Sequence, residues 1–168
     1  TVTSEPGRGT TFTVHLPRHT GKAAQAQPTG IQEALQRGQE TILVVEDEPE
    51  ILNLTTMLLK RQGYTVFGAT TPGEAIRLAR EHTGEIHLLL TDVIMPEMNG
   101  RDLAKNLLSL YPNLKRLFTS GYTANVIVHH GVLDEGVHFL QKPFSINGIV
   151  AKVREVLDQQ MSGPTGKA

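Results

Sequence analysis

The sequence predicts an α/β fold: an open, doubly wound parallel sheet of five strands in the order 2-1-3-4-5, with helices on both faces. Three observations lead there. Strand-like and helix-like segments alternate through about 120 residues, from Glu40 to Asp158, the rhythm of repeated β-α units. The run Ile42-Leu43-Val44-Val45 is continuously apolar, as in parallel strands covered on both faces. Helix-start signals follow the strands, with acids, Pro and capping residues where first turns belong.

The elements follow in order. Ile42 to Val45 is the first strand, and Asp47-Glu48-Pro49-Glu50 reads as a capping box opening a helix with Ile51, Leu54 and Leu58 inward. That helix should stop near Gly63. Tyr64 to Phe67 is the second strand, and Thr71 with Glu74 forms a second capping box before Ala75, Ile76 and Ala79. Ile86 to Leu90 is the third strand, ending at Thr91-Asp92. The loop Met95 to Gly100 leads to a helix with Leu103, Leu107 and Leu110, stopped by Pro112. Leu114 to Phe118 is the fourth strand, and Thr123 to Gly131 reads as helical despite its Val-Ile-Val core. Val137 to Leu140 is the fifth strand, and Ser145 caps a last helix with Ile146, Ile149, Val150, Val153 and Val156 or Leu157 inward. This is the flavodoxin-like strand order, in which ligands sit at the carboxyl ends of strands 1 and 3.

Outside this domain, residues 20–39 are Gly, Gln, Ala, Pro and Thr rich and read as a linker with a helical turn near Ile31 to Leu35. Thr10 to Pro17 alternates polar and apolar like a short strand, and residues 159–168 read as a disordered tail. The chain has 168 residues, 39% of them hydrophobic, and a formal net charge of -1. That balance calls for neither nucleic acid nor an anionic membrane. With no cysteine there is neither a disulfide framework nor a thiolate metal site, which fits a reducing cytoplasm. No apolar run approaches the roughly 18 residues that span a bilayer. The first residues carry neither a signal-peptide pattern nor an initiator Met, so the chain reads as part of something longer.

The predicted topology turns scattered residues into a site. Strand 1 ends in Glu46-Asp47 and its neighbour, strand 3, ends in Asp92. Alone, Asp47 reads as a helix cap and Asp92 as a turn residue. Together at the switch point they make three converging carboxylates, which repel one another unless a cation lies among them. Oxygen ligands suit Mg²⁺ or Mn²⁺, and a carboxylate nucleophile attacking a phosphoryl group needs such a metal to neutralise incoming charge. Ser120 follows strand 4 and Lys142 follows strand 5 at the same edge. A hydroxyl and an ammonium there can each serve a phosphoryl oxygen.

The string Leu43-Val44-Val45-Glu46-Asp47-Glu48, the stretch Leu89 to Gly100, Thr119-Ser120-Gly121 and Phe139-Leu140-Gln141-Lys142-Pro143-Phe144 together resemble the response-regulator receiver family over residues 40–158. The resemblance implies a phosphorelay receiver with Asp92 as phosphoacceptor, accepting from a histidine kinase or a histidine phosphotransfer domain. It implies Mg²⁺ held by Asp47, Asp92 and the backbone carbonyl of Ile94, with Glu46 acting through water. Ser120 would follow the phosphate, Lys142 would be its counter-ion, and Phe139 holds the aromatic switch position. The face of the fourth helix, fifth strand and fifth helix would respond, and could serve a homodimer. Ile94 and Tyr122 would flank the path of hydrolytic water. Where this chain has Glu46 and Ser120 the family often has Asp and Thr, which keeps the chemistry.

Residues 1–19, with Gly7, Gly9 and the strand-like piece, resemble the end of a histidine-kinase ATP-binding domain. That implies a hybrid sensor histidine kinase as parent, anchored or not to a membrane through regions outside this chain. The fragment itself would catalyse only its own phosphorylation and dephosphorylation. A Mg²⁺-dependent phosphatase with an Asp nucleophile would want an acid two residues on, where Ile94 stands. A pseudo-receiver would be expected to lose an acid or the Lys. His129-His130 do not make a metal pair, because adjacent helical residues point apart. No helix-turn-helix or basic stripe follows the domain, so direct DNA binding is not expected.

Overall fold

The computed structural model describes residues 1–15, 38–121 and 137–159. The chain divides into two units, residues 1–34 and 35–168. In the first unit β1 (Val2–Glu5) pairs antiparallel with β2 (Gly9–Phe12), Val2 facing Phe12. The turn needs its glycines, since Gly7 and Gly9 have φ of 76° and 93°. The sequence reading expected the second of these strands and missed the first, whose Thr-Ser-Glu composition carries no apolar alternation. The linker's helical turn, the helix expected at Thr123 to Gly131, Tyr122, the His129-His130 pair and the tail from Gln160 lie outside the described residues.

The second unit is the predicted sheet. Its strands are β3 (Thr41–Val45), β4 (Thr65–Ala69), β5 (Leu88–Asp92), β6 (Lys115–Ser120) and β7 (His138–Gln141), all parallel, in the order β4-β3-β5-β6-β7. Its described helices are α1 (Pro49–Arg61), α2 (Pro72–Glu81), α3 (Gly100–Leu108) and α4 (Ile146–Asp158). Alternate residues of each central strand feed opposite cores. Leu43, Val45, Leu89 and Phe118 pack with Ala75, Ala79, Leu103 and Leu107 on one face. Ile42, Val44, Leu90 and Leu117 pack with Leu52, Leu59, Ile149 and Val153 on the other. The unbroken apolar runs therefore reflect two cores sharing one sheet.

The helix ends follow local chemistry. Gly63, with φ 97°, closes α1 as its N–H donates to Lys60 O and that of Tyr64 to Leu59 O, the paired bonds of a Schellman motif. Thr71 Oγ1 accepts from Glu74 N, and Glu74 Oε2 accepts from Thr70 N, one residue earlier than a standard capping box. Ser145 Oγ accepts from Gly148 N at 3.0 Å. Gly38, placed in the linker by composition, is buried against the Tyr64 ring, where a Cβ would overlap.

Four details differ from expectation, the first being Leu110, which lies beyond the end of α3 and is exposed. Asp47 and Glu50 do not form a capping box: Glu48 is the N-cap and makes no side-chain cap bond. Asp47 lies instead with other acids. The buried stripe of α1 is Leu52, Thr55, Leu58 and Leu59, while Leu54 is half exposed. Two leucine stripes run along this helix, and a Thr interrupts the one that is buried. In α4 the inward residues are Ile149, Val150, Val153, Val156 and Leu157, whereas Ile146, in the first turn, is exposed.

Candidate functional site

Four chain segments leave the sheet along one edge, and the backbone ladder keeps them level. Glu46 N donates to Ala69 O at 3.1 Å, Val93 N to Thr119 O at 2.9 Å and Lys142 N to Ser120 O at 2.8 Å. Each bond extends the pairing one step beyond its strand, as the register Val45–Ala69, Asp92–Thr119 and Ser120–Gln141 requires. Residues far apart in sequence thus meet without any loop having to reach.

At that edge Glu46, Asp47 and Asp92 each present a carboxylate oxygen, all within 4.8 Å of one another. Lys142 Nζ donates to Glu46 Oε2 at 2.6 Å and to Asp92 Oδ2 at 2.9 Å. The Lys142–Pro143 peptide is cis. Glu46 is buried, Asp92 half-buried and Asp47 exposed, so the cluster opens to solvent on the Asp47 side. Burial pushes the Glu46 carboxyl above its usual range, the Lys142 ammonium opposes this, and the Asp92 charge adds to it. Burial works against the Lys142 charge too, but hydrogen bonds to Glu46 and Asp92 outweigh it and hold its pKa above the ordinary value.

The loop after Asp92 is shaped by packing. Val93 and Met95 are buried while Ile94 between them is 54% exposed. Met98 N donates to Pro96 O across Glu97, whose φ of 69° makes a strained γ-turn beside the site. Asn99 Oδ1 caps α3 by accepting from Asp102 N at 2.9 Å. Gly100 lies against Asp92: a Cβ there would stand 2.3 Å from Asp92 O. Only glycine permits that approach.

The structure therefore brings together Glu46, Asp47, Asp92 and Lys142. Ser120 is buried at the end of the neighbouring strand. Phe139 is half-buried on β7, opposite Phe118 and against the core. Sequence reasoning did not single out Thr55 or Phe144, which line a cavity beside Glu46, or the close approach of Gly100. The sequence carried no signal for Thr55, because the stripe it lies in is distinguished only by tertiary packing.

A family model described as the response regulator receiver domain matches residues 42–154. The Sensor kinase CckA of Brucella abortus (strain 2308) is 34% identical over 164 residues, which are 94% of this chain and 17% of that protein. The Aerobic respiration control sensor protein ArcB of Escherichia coli (strain K12) is 29% identical over 164 residues, 95% of this chain and 20% of that protein. The chain thus spans about a fifth of the length of these curated relatives. The crystal structure of the receiver domain from the hybrid histidine kinase CckA superposes with a TM-score of 0.59 at 35% identity, covering 70% of this chain and 98% of that one.

Proposed function

The chain belongs to the response regulator receiver domain family, a module of two-component phosphorelay signalling, and within that role we propose that Asp92 accepts a phosphoryl group from a phosphohistidine. The observation that carries this reading is the Lys142 ammonium bridging Glu46 and Asp92 while Asp47 stands beside them. An Asp92 carboxylate oxygen attacks phosphorus, the P–N bond to the donor imidazole breaks, and the imidazole leaves with the electron pair. Lys142 transfers its hydrogen bond from Asp92 to a phosphoryl oxygen. Ser120 donates to another, and Phe139 follows into the space the hydroxyl leaves.

The donor set is made of hard carboxylate oxygens and fits Mg²⁺ or Mn²⁺, with Asp47, Asp92 and the Ile94 carbonyl as direct ligands and Glu46 acting through water. When bound, the ion supplies charge neutralisation for the phosphoryl oxygens. The donor is a histidine kinase or a histidine phosphotransfer domain in the cytoplasm. The parent is a hybrid sensor histidine kinase, with residues 1–19 the end of its ATP-binding domain, residues 20–39 a linker and residues 40–158 the receiver. Support comes from relatives that match 94% and 95% of this chain, more than the receiver alone. Among the described residues no helix is long and apolar enough to cross a membrane. Radiolabelled phosphotransfer from histidine-phosphorylated kinase cores tests the role: label should pass to wild type and not to Asp92→Asn. Transfer to the variant at the wild-type rate would contradict it.

Ile94 bears on how long the phosphoryl group lasts. It is exposed two residues after Asp92 and, being apolar, can neither orient nor activate water. Ile94→Asn should speed phosphate loss several-fold, a change of about 1 kcal/mol in barrier. Phosphate release from the phosphorylated protein at fixed Mg²⁺ measures it. An equal or slower rate would show that Ile94 does not shield the acyl phosphate.

A further inference from the structure

One oxygen of Glu46 is left without a partner by the contacts described above. Lys142 holds Oε2 and the Glu48 backbone N–H also faces the carboxylate, but Oε1 is buried with no partner at hydrogen-bond geometry among the described residues. A buried carboxylate oxygen left so is costly, and such groups in folded proteins are served by a protein donor or an ordered water. Beside it lies a cavity of about 10 Å³, bounded by Glu46, Thr55, Thr119 and Phe144 with aliphatic side chains of β3 and β5. That is close to the smallest space that holds one water, roughly 10–15 Å³, provided two or more polar groups face it. Two hydroxyl residues, Thr55 and Thr119, line it together with Glu46.

Thr55 is the informative one. It occupies the buried stripe of α1 between Leu52 and Leu59, where the helical period calls for an aliphatic side chain, and it is only 4% exposed. Thr119 already has a role, its hydroxyl lying 3.4 Å from Thr91 O within the sheet. A hydroxyl both donates and accepts, so Thr55 can serve a water that in turn donates to Oε1.

We propose that Thr55 is a positioning residue for Glu46, holding Oε1 through one water in this cavity. Fixing Oε1 fixes the carboxylate plane, and so keeps Oε2 on the Lys142 side, where the cluster faces its cation. This places an outer support of the acidic cluster on α1, a helix that supplies none of the site's charged groups. Such supports of metal sites typically change affinity 10- to 100-fold when removed. The inference rests on the receiver reading of the cluster only in its metal arm.

The test compares Thr55→Val, which keeps shape and removes the hydroxyl, with Thr55→Ser, which keeps the hydroxyl. In the metal-free protein at neutral pH, the Glu46 ¹³Cδ and Lys142 ¹⁵Nζ resonances should move in Thr55→Val and return close to wild type in Thr55→Ser. By calorimetry, Thr55→Val should bind Mg²⁺ about tenfold more weakly, with Thr55→Ser within about twofold of wild type. A merely structural Thr55 would lower the melting temperature of both variants without separating them in either readout. Thr55→Val with wild-type resonances and wild-type Mg²⁺ affinity would overturn the proposal. If Thr55→Val does not fold, Thr55→Ala against Thr55→Ser makes the same comparison. Wild-type protein that bound no Mg²⁺ would refute the metal reading instead, and the resonances would still decide the role of Thr55.

Discussion

Replacing Lys142 with Met should destabilise the protein by about 3 kcal/mol at neutral pH and nearly abolish phosphorylation of Asp92. The stability loss follows from what Lys142 leaves behind. Its ammonium is paired with two carboxylates, and the Glu46 side chain is only 6% exposed. Without the ammonium, Glu46 remains a buried anion beside the Asp92 charge. The loss should depend on pH in a defined direction. The Glu46 pKa is already raised by burial, with Lys142 restraining it, so removing Lys142 raises it further. The folded variant then binds the Glu46 proton more tightly than the unfolded chain does. This group therefore works fully against folding above its folded pKa, and the deficit shrinks as pH falls through that value. At the alkaline end the wild type loses stability in the same direction, as pH rises, but through loss of a favourable contribution. The Lys142 pKa is raised, so its contribution is whole below the unfolded value and disappears as pH rises through the folded one. Urea unfolding of wild type and Lys142→Met at pH 8 and pH 5 checks this, and a deficit equal at both would contradict the account of Glu46.

Gly100→Ala should be nearly as damaging although it adds a single methyl group. The new Cβ would lie 2.3 Å from Asp92 O and 3.0 Å from Thr91 Cγ2, against backbone that the sheet holds in place. Relief requires α3 to withdraw or the Asp92 peptide to tilt. Overpacking of this kind costs about 1–3 kcal/mol. Tilting Asp92 also misaligns its carboxylate, so phosphorylation should slow by about tenfold or more, since small displacements of reacting groups are expensive. Thermal unfolding together with the rate of phosphorylation from a small donor measures both effects. A variant with normal stability and rate would show that the close approach does not position Asp92.

The site was legible in the sequence because the chemistry sits at strand ends. Once Ile42 to Val45 and the run to Asp92 are taken as adjacent parallel strands, topology alone places Glu46, Asp47, Asp92 and Lys142 together, and the structure has them so. What the sequence concealed has physical causes. Helix α1 carries two leucine stripes, and choosing between them depends on the packing of α4, which local periodicity does not contain. Asp47 has the form of a capping residue, yet α1 begins one residue later, with Glu48 at its N-cap. Thr55 looks like a defect in an apolar stripe until the buried Oε1 of Glu46 is seen beside it. The short strand Val2–Glu5 is held by pairing with Gly9–Phe12 and not by any pattern of its own.

The central claim is that Asp92 is the phosphoacceptor of a metal-dependent site. Its most direct test is mass spectrometry of the protein after incubation with a small phosphodonor, with and without Mg²⁺, wild type beside Asp92→Asn. Wild type should gain one hydroxylamine-labile phosphoryl group on Asp92, only with Mg²⁺, and the beryllofluoride mimic should bind under the same condition. The same phosphoryl group appearing undiminished in Asp92→Asn, or on wild type without the metal, would contradict the claim.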